Sequence, residues 1–129
     1  MGVVVAFPVR QSDPNEKEIA LSKAVVRAAD WLDIDQEQLS DIIAIPRTST
    51  LAFLSGDTHL RERTESYNLA LDFVAIFNSL HMKFAANRSI AREWMKSQNS
   101  LFDQKPISLI RKPDGLSAVK AYVEKAIIP

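Results

Sequence analysis

The sequence predicts an all-α fold: a helix-turn-helix unit and a small C-terminal helical unit joined by a long central helix. Three observations predict it. Apolar residues recur at intervals of three and four along most of the chain, the spacing of one helix face. Only 3 glycines occur in 129 residues, too few for the turns of a strand-rich fold. Hydrophobic residues make up 47 % and charged residues 25 %, ordinary values for a chain with a buried core.

The elements follow in order. Val3, Val4, Val5 and Phe7 suit a short strand or an arm that packs on a partner. Gln11-Ser12-Asp13-Pro14 is turn chemistry, and Asn15 suits a helix cap. Leu21, Val25, Ala28 and Leu32 then mark a helix from Glu16 to about Leu32. Asp35 caps a second, short helix whose inner face is Leu39, Ile42 and Ile43. Pro46 fits the first position of a third helix, with Leu51 and Leu54 pointing inward and a stop at Ser55-Gly56-Asp57.

A long helix is expected from about Arg61 to Met82, with a stripe of Leu69, Phe73, Ile76, Phe77 and Leu80. Its apolar girth suits a central helix or a dimer contact. Asn87 caps a helix containing Ile90, Ala91, Trp94 and Met95. An irregular stretch leads to a short turn at Pro106–Ile110, and Pro113-Asp114-Gly115 reads as a break. Leu116, Val119, Val123, Ala126 and Ile127 mark the last helix.

Composition removes several functions. There is no cysteine, so disulfides, thiolate metal sites and a cysteine nucleophile are excluded. No apolar run is long enough to span a bilayer, and the first residues lack the basic segment of a signal peptide. A cytoplasmic protein without membrane association is expected. No phosphate-binding glycine loop and no nucleophile elbow is present. His59 and His81 lack a carboxylate at ligand spacing, and Asp33, Asp35 and Glu37 suit helix capping better than a calcium loop. Neither enzyme activity nor a cofactor nor a metal is expected.

The charge balance is zero overall but uneven: residues 1–60 hold 5 basic and 9 acidic residues, residues 61–129 hold 11 and 7. The first half therefore lacks the usual electrostatic aid to nucleic-acid binding. Even so, Asp35 to Gly56 has the layout of a DNA-reading helix pair. Gln36, Arg47, Thr48, Ser49 and Thr50 are its candidate DNA contacts, Arg47 being able to bond guanine twice. The plainer reading is a helical hairpin that only fills the core.

The run from Asp35-Gln36-Glu37-Gln38-Leu39 through Ile42-Ile43-Ala44-Ile45 to Leu51 resembles the helix-turn-helix of Xre-type, phage-repressor-like regulators. It departs from them in having Ala44 where glycine is usual and Arg47 as the lone basic residue of the second helix. Further on come Ala91-Arg92-Glu93-Trp94-Met95, Asn99-Ser100-Leu101-Phe102, Lys105-Pro106-Ile107-Ser108-Leu109-Ile110, and Gly115 ahead of Val119. These resemble the toxin-binding domain shared by Xre, MbcA and ParS antitoxins. The glycine usual before the Lys-Pro segment is replaced around Asp103-Gln104.

The resemblance implies an antitoxin of a type II toxin–antitoxin system. Such a protein blocks a partner toxin, most often a RES-type toxin that consumes NAD, and represses its own operon by binding operator DNA. It implies a unit of residues 1–60 (arm and helix-turn-helix) and one of 61–129 (long helix and toxin-binding domain). A homodimer, or a larger complex with the toxin, is expected. Candidate toxin contacts are Phe102, Lys105, Arg111, Lys112 and the terminal Ile128 and Pro129. Leu101, Leu109 and Trp94 are expected to seal the domain's own core, and Lys105, Arg111 and Lys112 to be exposed. The alternative is a stand-alone helix-turn-helix repressor without a toxin.

Overall fold

A computed structural model describes residues 13–125. The arm at residues 3–7 and the tail residues Ala126, Ile127, Ile128 and Pro129 lie outside the described residues. The described chain is all-α. Its helices are α1 (Glu16–Leu32), α2 (Gln36–Ile42), α3 (Arg47–Leu54), α4 (Glu65–Lys83), α5 (Arg88–Lys96), α6 (Pro106–Leu109) and α7 (Pro113–Lys125).

Short-range chemistry sets the helix starts. Asn15 and Glu18 form a reciprocal capping box at α1, and Asp35 and Gln38 form another at α2. Thr64 caps α4 and Asn87 caps α5 through their side-chain oxygens. The ends of α1 to α4 share one device, in which a residue in the left-handed region lets the following amides turn back onto the last carbonyls. After α1 it is Asp33, after α2 Ala44, after α3 Gly56 and after α4 Ala85. The long-reach bonds are Ile34 N to Ala29 O, Ile45 N to Ser40 O, Asp57 N to Ala52 O and Ala86 N to His81 O.

Three boundaries differ from the sequence reading. Pro46 is the N-cap of α3 rather than its first helical residue. The α4 helix opens at Glu65, because Glu62 and Arg63 form a turn with Arg63 at φ 68°. Pro113 opens α7 instead of breaking the chain. The Lys112 carbonyl accepts from Leu116 N at 2.8 Å, so the helical ladder starts there. Proline suits a first turn, where its missing N–H has no partner to lose.

The α4 helix is the hub, packing on α1, α7, α2 and α5. Phe73, Ile76 and Leu80 are wholly buried along it, and they meet Leu32, Leu39, Ile43, Met95, Ile110, Leu116 and Val119 in one cluster. Helix α5 closes over the end of α1. Arg92 donates from Nε to Trp31 O and from Nη2 to Asp30 O, each at 2.9 Å. Lys96 bonds Asp33 and holds its carboxyl below the usual range. The last turn of α1 has no basic residue of its own, so α5 supplies the positive charge that its C-terminus favours.

Candidate functional site

The α2–α3 pair is joined by Ile43-Ala44-Ile45-Pro46. Ala44 holds φ 55°, the conformation that glycine would adopt more cheaply, and its carbonyl accepts from Ser66 Oγ on α4. This turn fixes the roll of α3. Thr50 and Phe53 face inward and Leu51 faces out at 63 % exposure. Thr50 is thus a core residue, its hydroxyl bonded to Pro46 O at 3.1 Å, and cannot meet a base edge. Leu51, expected inside, instead shares the outer face with Arg47 and Thr48. The reason is that Phe53 and Leu54 turn toward α1, where they line a groove with Val26 and Ser22.

Gln36, Arg47, Thr48 and Ser49 are all exposed. Arg47 is not alone: its Nη2 lies 3.1 Å from Glu37 Oε2 and 3.8 Å from Asp41 Oδ1. An exposed pair of this kind is weak and opens readily.

The second surface is built from the α5–α6 loop, α6 and the α6–α7 turn. Asn99 N bonds Gln104 O at 3.0 Å, and Asn99 Oδ1 accepts from Leu101 N at 2.9 Å, closing a tight loop. Asp103 occupies the left-handed region at φ 58°, the position where glycine was missed in the sequence. Aspartate is one of the few side chains that tolerates it. The loop turns Phe102 inward, edge-on to Tyr122 at 5.2 Å, while Tyr122 lies parallel to Trp94 at 6.3 Å. Leu101, expected to seal the core, stands out at 66 % exposure. Trp94 and Leu109 are partly buried against the core.

Lys105 and Lys112 are exposed at either end of α6. Gln104, Ser108, Lys112 and Asp114 border a depression of about 500 Å³ beside them. Arg111 differs from its expected exposed state. It bonds Asp41 Oδ2 through Nε at 2.9 Å and Nη2 at 2.6 Å, which leaves its side chain half-buried and raises its pKa further above the usual arginine value. Sequence reasoning missed Asp41 as its partner because the two are 70 residues apart.

Helix α7 begins unusually close to α6. A Cβ on Gly115 would lie 2.0 Å from the Leu109 carbonyl oxygen. Glycine is required there so that α6 and the first turn of α7 can meet, with Lys112 in the turn between them.

No curated protein matches the chain. Residues 75–126 match the model of the Antitoxin Xre/MbcA/ParS C-terminal toxin-binding domain, from the second half of α4 into the chain beyond α7. The matched stretch contains the loop at Asn99–Gln104, the α6–α7 junction and the aromatic stack just described. Over these residues the chain is similar to the toxin-binding domain of the Xre/MbcA/ParS antitoxins.

Proposed function

We propose that the chain is the antitoxin of a type II toxin–antitoxin pair, acting by binding and not by catalysis. Its toxin is of the RES type, which consumes NAD, and residues 61–129 cover it. The observation that carries the reading is the family match over residues 75–126. The toxin-facing set is Leu101, Lys105 and Lys112, which stand exposed in the α5–α6 loop and on either side of α6, together with the sequence candidates Ile128 and Pro129. Phe102 supports that surface from within, and Arg111, bonded to Asp41 of α2, keeps 34 % of its side chain exposed for an acidic group of the partner.

The test is co-expression with the protein encoded beside it. Expressed alone, that neighbour should stop growth and deplete cellular NAD, and this chain should restore both. Charge reversal at Lys105 and Lys112 together should weaken the complex at least tenfold by titration calorimetry. Failure of the wild-type proteins to associate sinks the reading.

Residues 1–60 are assigned to operator binding and autoregulation. The supporting geometry is the outer face of α3, with Arg47, Thr48, Ser49 and Leu51 beside Gln36 of α2. Arginine and hydroxyl groups read bases or phosphates, and an apolar side chain suits a thymine methyl. Two such faces are needed for useful affinity, which a homodimer supplies. The outward side of α4, where Leu71 and Met82 are exposed at 47 % and 76 %, is assigned to that contact.

A further inference from the structure

The arginine of the α3 face and the arginine of the α6–α7 turn converge on the same two carboxylates. Glu37 and Asp41 stand one turn apart on α2. Asp41 turns Oδ1 toward Arg47 and Oδ2 toward Arg111, at 3.8 and 2.6 Å. Glu37 Oε2 faces both, 3.1 Å from Arg47 and 3.8 Å from Arg111. Two cations thus share these two anions, with Asp35 adding a third negative charge that Arg111 feels, and neither arginine has a carboxylate to itself. The arrangement is lopsided. Arg111 is held by two short bonds and is 34 % exposed, whereas Arg47 is 61 % exposed and loosely held.

We propose that Glu37 and Asp41 are positioning residues that set Arg47 and Arg111 against each other, so that a phosphate at Arg47 and an acidic partner group at Arg111 bind antagonistically. This rests on the assignment above of α3 to nucleic acid and of the α6–α7 surface to the toxin. An acidic group that draws Arg111 off Asp41 leaves two carboxylates facing one arginine. Their surplus charge holds Arg47 and repels phosphate. A phosphate that takes Arg47 leaves the same surplus to bind Arg111 harder. Linkage requires the two effects to be equal in size. The groups lie within the Debye length of about 8 Å at physiological ionic strength, so the coupling persists there and fades in high salt.

The experiment uses the full chain in two arms. In the first, side-chain arginine resonances are followed by nitrogen-15 NMR without ligand. Arg111→Ala should move the Arg47 Nε–H signal and slow its exchange with water, and Asp41→Asn should loosen Arg111. An Arg47 signal indifferent to Arg111→Ala overturns the proposal. If Arg111→Ala fails to fold, Arg111→Gln, which removes the charge but keeps a hydrogen-bond donor toward Asp41, takes its place. In the second arm, a duplex oligonucleotide is titrated by anisotropy at low salt. Arg111→Ala should weaken binding by about three- to tenfold, and Asp41→Asn should strengthen it by a similar factor. In the Asp41→Asn background, Arg111→Ala should change binding by less than about twofold. An undiminished effect there means that Arg111 touches the duplex directly, and overturns the proposal. Coupled resonances in a chain that ignores the duplex overturn the nucleic-acid assignment and leave the carboxylate coupling standing.

Discussion

Single residues carry unequal weight in this fold, and Gly115 carries more than its size suggests. Replacing a helical glycine by alanine ordinarily stabilises by about 1 kcal/mol. At Gly115 the new methyl would fall 2.0 Å from the Leu109 oxygen, so the backbone must move. Gly115→Ala is therefore expected to lose about 1–3 kcal/mol in urea unfolding, the usual range for overpacking. Glu18 is a second case. Its carboxylate accepts from Asn15 N at 2.8 Å and Glu62 N at 2.7 Å, and Arg61 stands 3.8 Å away. The amide bonds, first that from Asn15, hold its pKa below the usual glutamate value of 4.5. A depressed folded value means that its contribution is complete above about pH 4.5 and is lost as pH falls through the folded value. Glu18→Gln should accordingly melt below wild type at pH 7, with the gap closing toward pH 3. A gap of constant size across that range would contradict the assignment.

At the scale of elements, helix ends decide more than helix interiors. Ala44 pays for its left-handed turn with backbone strain, at φ 55°. Relief of that strain outweighs the greater freedom that glycine has in the unfolded chain. Ala44→Gly is expected to stabilise by about 0.5–1 kcal/mol in thermal unfolding. The end of α1 depends on a different helix. Arg92→Ala removes the donor to Trp31 O and Asp30 O and should cost about 1 kcal/mol, with faster amide exchange in the α1–α2 junction. If exchange there is unchanged, α5 does not cap α1 in solution.

For the whole molecule, the question is what its outer faces do once the core is closed. The interior uses both halves of the chain: Leu39 of α2 and Ile43 of the α2–α3 turn join Met95 and Val119 in one cluster. The exposed apolar side chains therefore stand out as surplus to folding. Leu71→Glu with Met82→Glu should leave the helical fold of each protomer intact by circular dichroism, since neither side chain is buried within it, while the melting temperature loses its dependence on protein concentration. The same pair should turn a dimer into a monomer by light scattering. A double variant that remains dimeric places the contact elsewhere.

Local chemistry, written in neighbouring residues, determined the helices, their caps and the resemblance of the last third to a toxin-binding domain. Asn15, Asp35 and Asn87 act within four residues of their own position, so the sequence shows them directly. Periodicity likewise marked Phe73, Ile76 and Leu80 as core. The roll of a short helix is another matter. Eight residues of α3 are too few for spacing alone to say whether Thr50 or Leu51 is buried, and contact with α1 and the α4 end of the turn decided it. Leu101 and Phe102 are adjacent and both apolar, and only the closed loop with its left-handed Asp103 settled which one faces Tyr122. The meeting of Arg47 and Arg111 at Glu37 and Asp41 was invisible for the same reason. Charges far apart along a chain become neighbours only when packing of the core brings their helices together.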